Sequence, residues 1–151
     1  MTITVDGLDE IKSLAGADLG GSDWLEISQE RVNTFADATG DHQWIHVDPE
    51  RAADGPFGRT IAHGYLTLAL LIPLFNELLT IKGVSMGVNY GLDKVRFPAP
   101  VPVGARIRLK GLVSSVDDVR GGVQMKIVFT VEIEDSAKPA CIAEAIYRQY
   151  A

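Results

Sequence analysis

Two aspartates and two histidines fall within eight positions of this chain: Asp41, His42, His46 and Asp48. A carboxylate and an imidazole held near one another can position a water molecule, take its proton and later return it. Singly, each residue has an ordinary explanation. Asp41 follows Gly40 and fits a turn, and a lone histidine such as His46 is commonly a buried structural residue. Asp41 and His46 gain weight from a second polar segment, Ile61-Ala62-His63-Gly64, which precedes a long apolar run. At a helix start, backbone N–H groups are unpaired and the dipole end is positive, which suits a developing oxyanion. Gly64 would allow a ligand to approach closely.

The neighbouring residues read more simply. His42 is expected at the surface, His63 as a structural contact near the helix start, and Asp48 as a helix N-cap. A metal set of Asp41, His42, His46 and Asp48 would need the two histidines on one helix. Asp48-Pro49 begins its helix after them, so no metal site is expected.

The elements that must position these groups follow from periodicity. Ser28 caps a helix over about Gln29 to Ala38 that Gly40 stops. Thr39 to Pro49 reads as a loop, and Asp48-Pro49 starts a second helix. Gly64 to Leu79 is apolar nearly all round, which predicts a buried helix roughly 24 Å long. Pro73 should kink it or remove one of its hydrogen bonds. Strands follow. Val123, Met125, Ile127, Phe129, Val131 and Ile133 alternate with polar residues, only Val128 breaking the pattern. Ile107, Leu109 and Val113 alternate in the strand before, with a turn over Asp117–Gly122, and a further strand is expected from about Cys141 to Tyr150. Met86, Val88, Tyr90 and Leu92 begin another strand, whose phase slips by Val95, predicting a bulge near Asp93. One long helix followed by antiparallel strands is an α+β arrangement, with the sheet wrapped around the helix.

Composition narrows the classes. The 151 residues suffice for one domain, spanning 1–151, with 46% hydrophobic and 23% charged residues. The net charge of −6 and the lack of a basic stripe argue against nucleic acid as a partner. Cys141 is the single cysteine and reads as a small core residue, which leaves no internal disulfide or cysteine metal site. The first ten residues lack the pattern of a signal peptide, and no apolar run is long enough to span a bilayer, so the cytoplasm is the expected location.

Gly40-Asp41, His46, Phe57-Gly58, Ile61-Ala62-His63-Gly64 and the later Val95-Arg96-Phe97-Pro98-Ala99-Pro100-Val101-Pro102-Val103-Gly104 occur in this order. Together they resemble the MaoC-like family of (R)-specific enoyl-CoA hydratases and 3-hydroxyacyl-thioester dehydratases. The resemblance implies a hot-dog fold, a homodimer, and reversible hydration of a trans-2-enoyl-CoA to an (R)-3-hydroxyacyl-CoA bound near the subunit interface. It places the catalytic pair on Asp41 and His46 and the oxyanion-hole glycine on Gly64. Ile61, Ala62, His63, Gln43 and Asn89 are further substrate-binding candidates. No cofactor or metal is implied: the CoA thioester, or an acyl carrier protein thioester, is substrate. Two positions depart from the family pattern, which usually has Asn-Pro where this chain has Gln43-Trp44. A helix position that often carries Ser is Ile72 here. Trp44, Tyr65 and Tyr90 are candidates to set pocket depth, and Arg59, Lys94 and Arg96 to contact phosphates. Two other functions share such a fold: a hot-dog acyl-CoA thioesterase and a non-catalytic acyl-thioester-binding subunit.

Overall fold

The computed structural model describes residues 2–151. In chain order the elements are β1 (Ile3–Asp6), α1 (Gly7–Lys12), β2 (Asp18–Gly21), β3 (Leu25–Glu26), α2 (Gln29–Thr39), α3 (Trp44–Val47), α4 (Pro49–Ala53), α5 (Gly64–Ala69), α6 (Leu71–Leu78), β4 (Leu79–Lys82), β5 (Met86–Arg96), β6 (Arg106–Val119), β7 (Gly122–Ile133) and β8 (Cys141–Tyr150). The main sheet has the order β2-β6-β7-β8-β5, with β3 also paired to β6. All its pairings are antiparallel. A parallel pair, β1 with β4, forms separately. The N-terminal elements β1 to β3 were not expected from the sequence; they are two to four residues long, too short for a clear alternation.

The strands β6 to β8 show why the sheet has one apolar face. Burial alternates along β8 and, from Val123 onward, along β7, whose inward row is the expected set from Val123 to Ile133. Cys141, Ala143 and Ala145, all fully buried, line the inward row of β8. These small side chains leave room for α5 to approach the sheet. Phe75 of α6 stacks on Tyr147 with ring centres 5.4 Å apart and meets Phe129 edge-on at 5.3 Å, pinning the helix to β7 and β8.

The central helix spans Gly64 to Leu78 but breaks at Leu70. Pro73 is the cause: it has no N–H to offer the carbonyl four residues back, Ala69, and its ring crowds that oxygen. The sequence predicted burial nearly all round, but one stripe is uncovered. Tyr65, Ala69, Ile72 and Asn76, spaced as one helical stripe, are exposed, Tyr65 to 76%. The edge strand β5 continues this uncovered face through Asn89 and Leu92.

Two expectations about the strands need correction. The turn between β6 and β7 is only Arg120-Gly121, because Asp117 and Asp118 stay paired with Gln124 and Val123. In β5 the register shifts near Asp93, as expected, but also near Tyr90. Each bulge reverses the alternation, so Gly87, Asn89, Leu92 and Val95 stand opposite the inward row of β8, while Met86, Val88 and Tyr90 point outward. A Cβ at Gly87 would lie 2.8 Å from the buried Gln149 amide oxygen, so that side chain would have to shift to admit one.

Candidate active site

Local sequence chemistry builds the first half of the site. Ser28 accepts from the Arg31 N–H at 3.1 Å and starts α2, and Gly40 at φ 82° ends it. Asp48 accepts from the Arg51 N–H at 3.1 Å and starts α4 behind Pro49. Between them the chain is not all loop: Trp44–Val47 forms one helical turn, α3, which carries His46. Gln43 connects the two catalytic candidates through its backbone. Its N–H donates to the Asp41 carboxylate at 3.4 Å, and its carbonyl accepts from the His46 N–H at 3.0 Å.

The second half is built by two segments running side by side. The Ala62 N–H donates to the Val101 carbonyl at 2.8 Å, and Val103 donates to Thr60 at 2.9 Å. Pro98, Pro100 and Pro102 fit this irregular segment, where most N–H groups have no ladder to join. Ile61 then meets α3, its N–H donating to the Ile45 carbonyl at 3.0 Å. Its carbonyl accepts from His46 Nδ1 at 2.7 Å. A carbonyl only accepts, so Nδ1 of the neutral ring carries the proton and Nε2 is left as a free base.

His46 is buried, at 7% exposure, and stacks on His63 with ring centres 3.9 Å apart. His63, at 2% exposure, donates from Nε2 to the Asp41 carbonyl at 3.0 Å, and its Nδ1 has no partner among the described residues. Phe35 packs on His63 at 4.9 Å. His63 therefore clamps the Asp41 backbone next to His46. Asp41, His46 and His63 bring one donor atom each to within 4.8 Å of one another, while the Asp41 side chain is about half exposed at 52%. His42 points away to Asp37 at 2.9 Å, and that hydrogen bond raises its pKa.

An apolar cavity of about 350 Å³ opens beside His46, lined also by Phe57, Ile61, Gly64, Thr67 and Phe97. Gly64 opens α5, so its N–H has no acceptor within the helix. A Cβ there would come within 3.3 Å of the Phe97 ring, so the glycine lets the ring lie against the helix start. Ala62 also lines this cavity, but its N–H is committed to Val101.

The remaining candidates divide. Ile72 is 40% exposed and lies on the uncovered stripe; Thr67 supplies the hydroxyl side chain on the helix that lines the cavity. Trp44 does not line it. The indole packs under the Arg51 guanidinium at 4.4 Å and against Gly55, where a Cβ would sit 3.0 Å from the ring. Tyr65 and Tyr90 are exposed elsewhere, Tyr90 beneath the Arg148 guanidinium at 3.6 Å. Asn89 lines separate grooves between the central helix and β5. Arg59, Lys94 and Arg96 are all exposed. Thr67, Phe57 and Phe97 were not named as cavity residues; Phe57 and Phe97 did fall within the ordered motifs, which was the available sequence signal, and Thr67 had none.

This fold and this arrangement define a hot-dog protein with a carboxylate and imidazole pair at the start of its central helix. The chain belongs to the MaoC-like domain family, whose profile matches residues 10–135. It is 58% identical over 149 residues to 3-hydroxyacyl-thioester dehydratase Z of Mycobacterium tuberculosis, covering 98% of this chain and 99% of that protein. It is 47% identical over 142 residues to nodulation protein N of Rhizobium meliloti, covering 92% and 88%. Among solved structures, the (R)-hydratase from A. caviae involved in PHA biosynthesis superimposes with a TM-score of 0.73 at 24% identity, covering 88% of this chain and 94% of that one.

Proposed function

We propose that this chain is a 3-hydroxyacyl-thioester dehydratase, interconverting an (R)-3-hydroxyacyl thioester with a trans-2-enoyl thioester and water. The observation that carries the chemistry is one His46 bond: Nδ1 is committed to Ile61, which leaves Nε2 as the base on a ring that lies beside Asp41 and the apolar cavity. In the hydration direction, Asp41 and His46 hold a water against the β-carbon. His46 Nε2 takes its proton as the C–O bond forms. Electron density moves to the thioester oxygen, which accepts a hydrogen bond from the Gly64 N–H. The same proton then passes to the α-carbon, so no net acid or base is consumed. Dehydration runs these steps in reverse. The acyl chain lies in the cavity between Phe57, Thr67 and Phe97.

We assign the uncovered face of α5, α6 and β5 to a second copy of this chain. Its exposed Tyr65, Ile72 and Leu92 line one groove together with Asn89. Sedimentation would report a dimer, and a monomer at assay concentration would overturn this assignment.

Crotonyl-CoA tests the activity directly: its enoyl-thioester absorbance should fall as water adds, giving the (R) product on chiral analysis. Release of free thiol in place of hydration would identify a thioesterase, and tight acyl-CoA binding without turnover a binding subunit. Among the described residues, no helix is long and apolar enough to cross a membrane.

A further inference from the structure

Gln29 opens α2 and belongs to none of the motifs above, yet its side chain reaches His46. Nε2 donates to the His46 carbonyl at 2.7 Å and to Asn33 Oδ1 at 2.9 Å. Oε1 accepts from the Thr60 hydroxyl at 2.6 Å. These partners fix the amide's orientation, because the His46 carbonyl can only accept.

Thr60, 4% exposed, directly precedes Ile61, whose carbonyl holds the His46 ring. The bonds therefore close a circuit. It runs from the His46 ring to Ile61, along the chain to Thr60, through the Gln29 amide, and back to the His46 carbonyl. The circuit has a specific consequence. A four-residue turn has little stability of its own, so α3 sits where its outside contacts hold it. The ring bond to Ile61 sets the tautomer, and it survives only while α3 stays in register with residues 60 and 61. Ile61 N–H to Ile45 is one tie between these segments, and the Gln29 bridge is the other.

We propose that Gln29 and Thr60 are positioning residues for His46, holding α3 against Ile61 so that Nδ1 keeps its proton and Nε2 remains the base. This rests on His46 acting as the base in the reaction proposed above. Gln29→Glu keeps the shape but turns an acceptor toward the His46 carbonyl and Asn33. Thr60→Val keeps the volume, removes the hydroxyl and leaves Gln29 Oε1 unpaired.

The test combines steady-state kinetics on crotonyl-CoA with ¹⁵N NMR of the histidine rings in the full-length protein. In Gln29→Glu, kcat should fall on the order of 100-fold, the scale of a misplaced catalytic group. KM should stay within roughly threefold, as for a group acting on the chemical step rather than on uniform binding. Thr60→Val should fall in the same direction, and Thr60→Ser, which restores the donor, should recover most of the turnover. The His46 ring should lose its single Nδ1–H tautomer in both impaired variants. If Gln29→Glu fails to fold, the Thr60→Val and Thr60→Ser pair carries the test alone. Unchanged kcat in folded Thr60→Val, or a reduced kcat with the wild-type tautomer intact, would overturn the proposal. His46→Ala is run alongside. Turnover retained there refutes the base assignment itself, whereas turnover lost there but retained in Thr60→Val refutes only the positioning role.

Discussion

Along β7, β8 and the first half of β6 nearly every second side chain is buried, whereas between Gln29 and Ala53 only Val32, Ala36, His46 and Ala52 are. The strands are held by many interchangeable apolar contacts and a continuous backbone ladder. The α2–α4 segment is held by a few polar bonds with particular partners: Ser28 to Arg31, Asp48 to Arg51, Gln29 to His46, and His63 to Asp41. Damage to the first region should therefore appear as lost stability, and damage to the second as lost turnover.

The sharpest way to separate them is at the proposed catalytic pair. Asp41→Asn and His46→Ala should each lower crotonyl-CoA hydration by about 10²–10⁴-fold, the range for removing a positioned acid–base group. Because the Asp41 side chain is half exposed, the thermal midpoint of Asp41→Asn should stay near that of the unaltered protein. Wild-type-like turnover in either variant would collapse the distinction. The converse is Phe129→Ala in β7. Phe129 is fully buried between Phe75 and Tyr147, so its truncation should cost about 3–5 kcal/mol by urea unfolding. Turnover per folded molecule should be largely kept.

A third measurement probes the sheet's interior without mutation. Burial pushes the Cys141 thiol from 9.0 up to about 11. The thiolate fraction near pH 8 is then about 100-fold lower than for an ordinary thiol, so labelling of the native protein should be slow and should accelerate on unfolding. The linkage has a definite sign: a folded-state pKa raised above the unfolded one leaves stability intact below pH 9 and erodes it as pH rises through about 11. Rapid labelling of the folded protein would show that the β8 interior is open to solvent. Smaller effects belong to the helix ends. Ser28→Ala should cost about 1 kcal/mol, read from the denaturation midpoint. The smallest concerns His42, whose pKa is raised above 6.5 by the bond to Asp37. Its contribution is present below the unfolded value and disappears as pH rises through the folded one, so His42→Gln should differ from wild type only in acid. A deficit persisting at pH 8 would assign it another role.

Legibility in the sequence followed the same division. The inward row of β7, the limits of β8 and the caps at Ser28, Gly40 and Asp48 could be read directly, because alternation and capping are local. The extra bulge at Tyr90 could not, since a second half-turn in phase leaves no trace in an edge strand with mixed faces. Trp44, Tyr65 and Tyr90, the candidates for pocket depth, do not line the cavity beside His46. Aromatic size says nothing about which way a side chain points, and these three pack against arginines or face outward. Gln29 showed only as the first residue of a helix, because its partners are 17 and 31 positions away.

The sequence by itself determined the class of the protein. The order of the motifs, one apolar helix and the following strands specify the hot-dog arrangement and bring Asp41 and His46 forward as candidates for the reacting pair. Only the tertiary structure decided which atoms are free. His46 Nε2 is available because Ile61, 15 residues away, occupies Nδ1, and the Ala62 N–H is unavailable because Val101 takes it. Hydrogen-bond commitments between segments distant in sequence leave no local pattern; they exist only once the helix, the proline-rich segment and the α3 turn have been packed together.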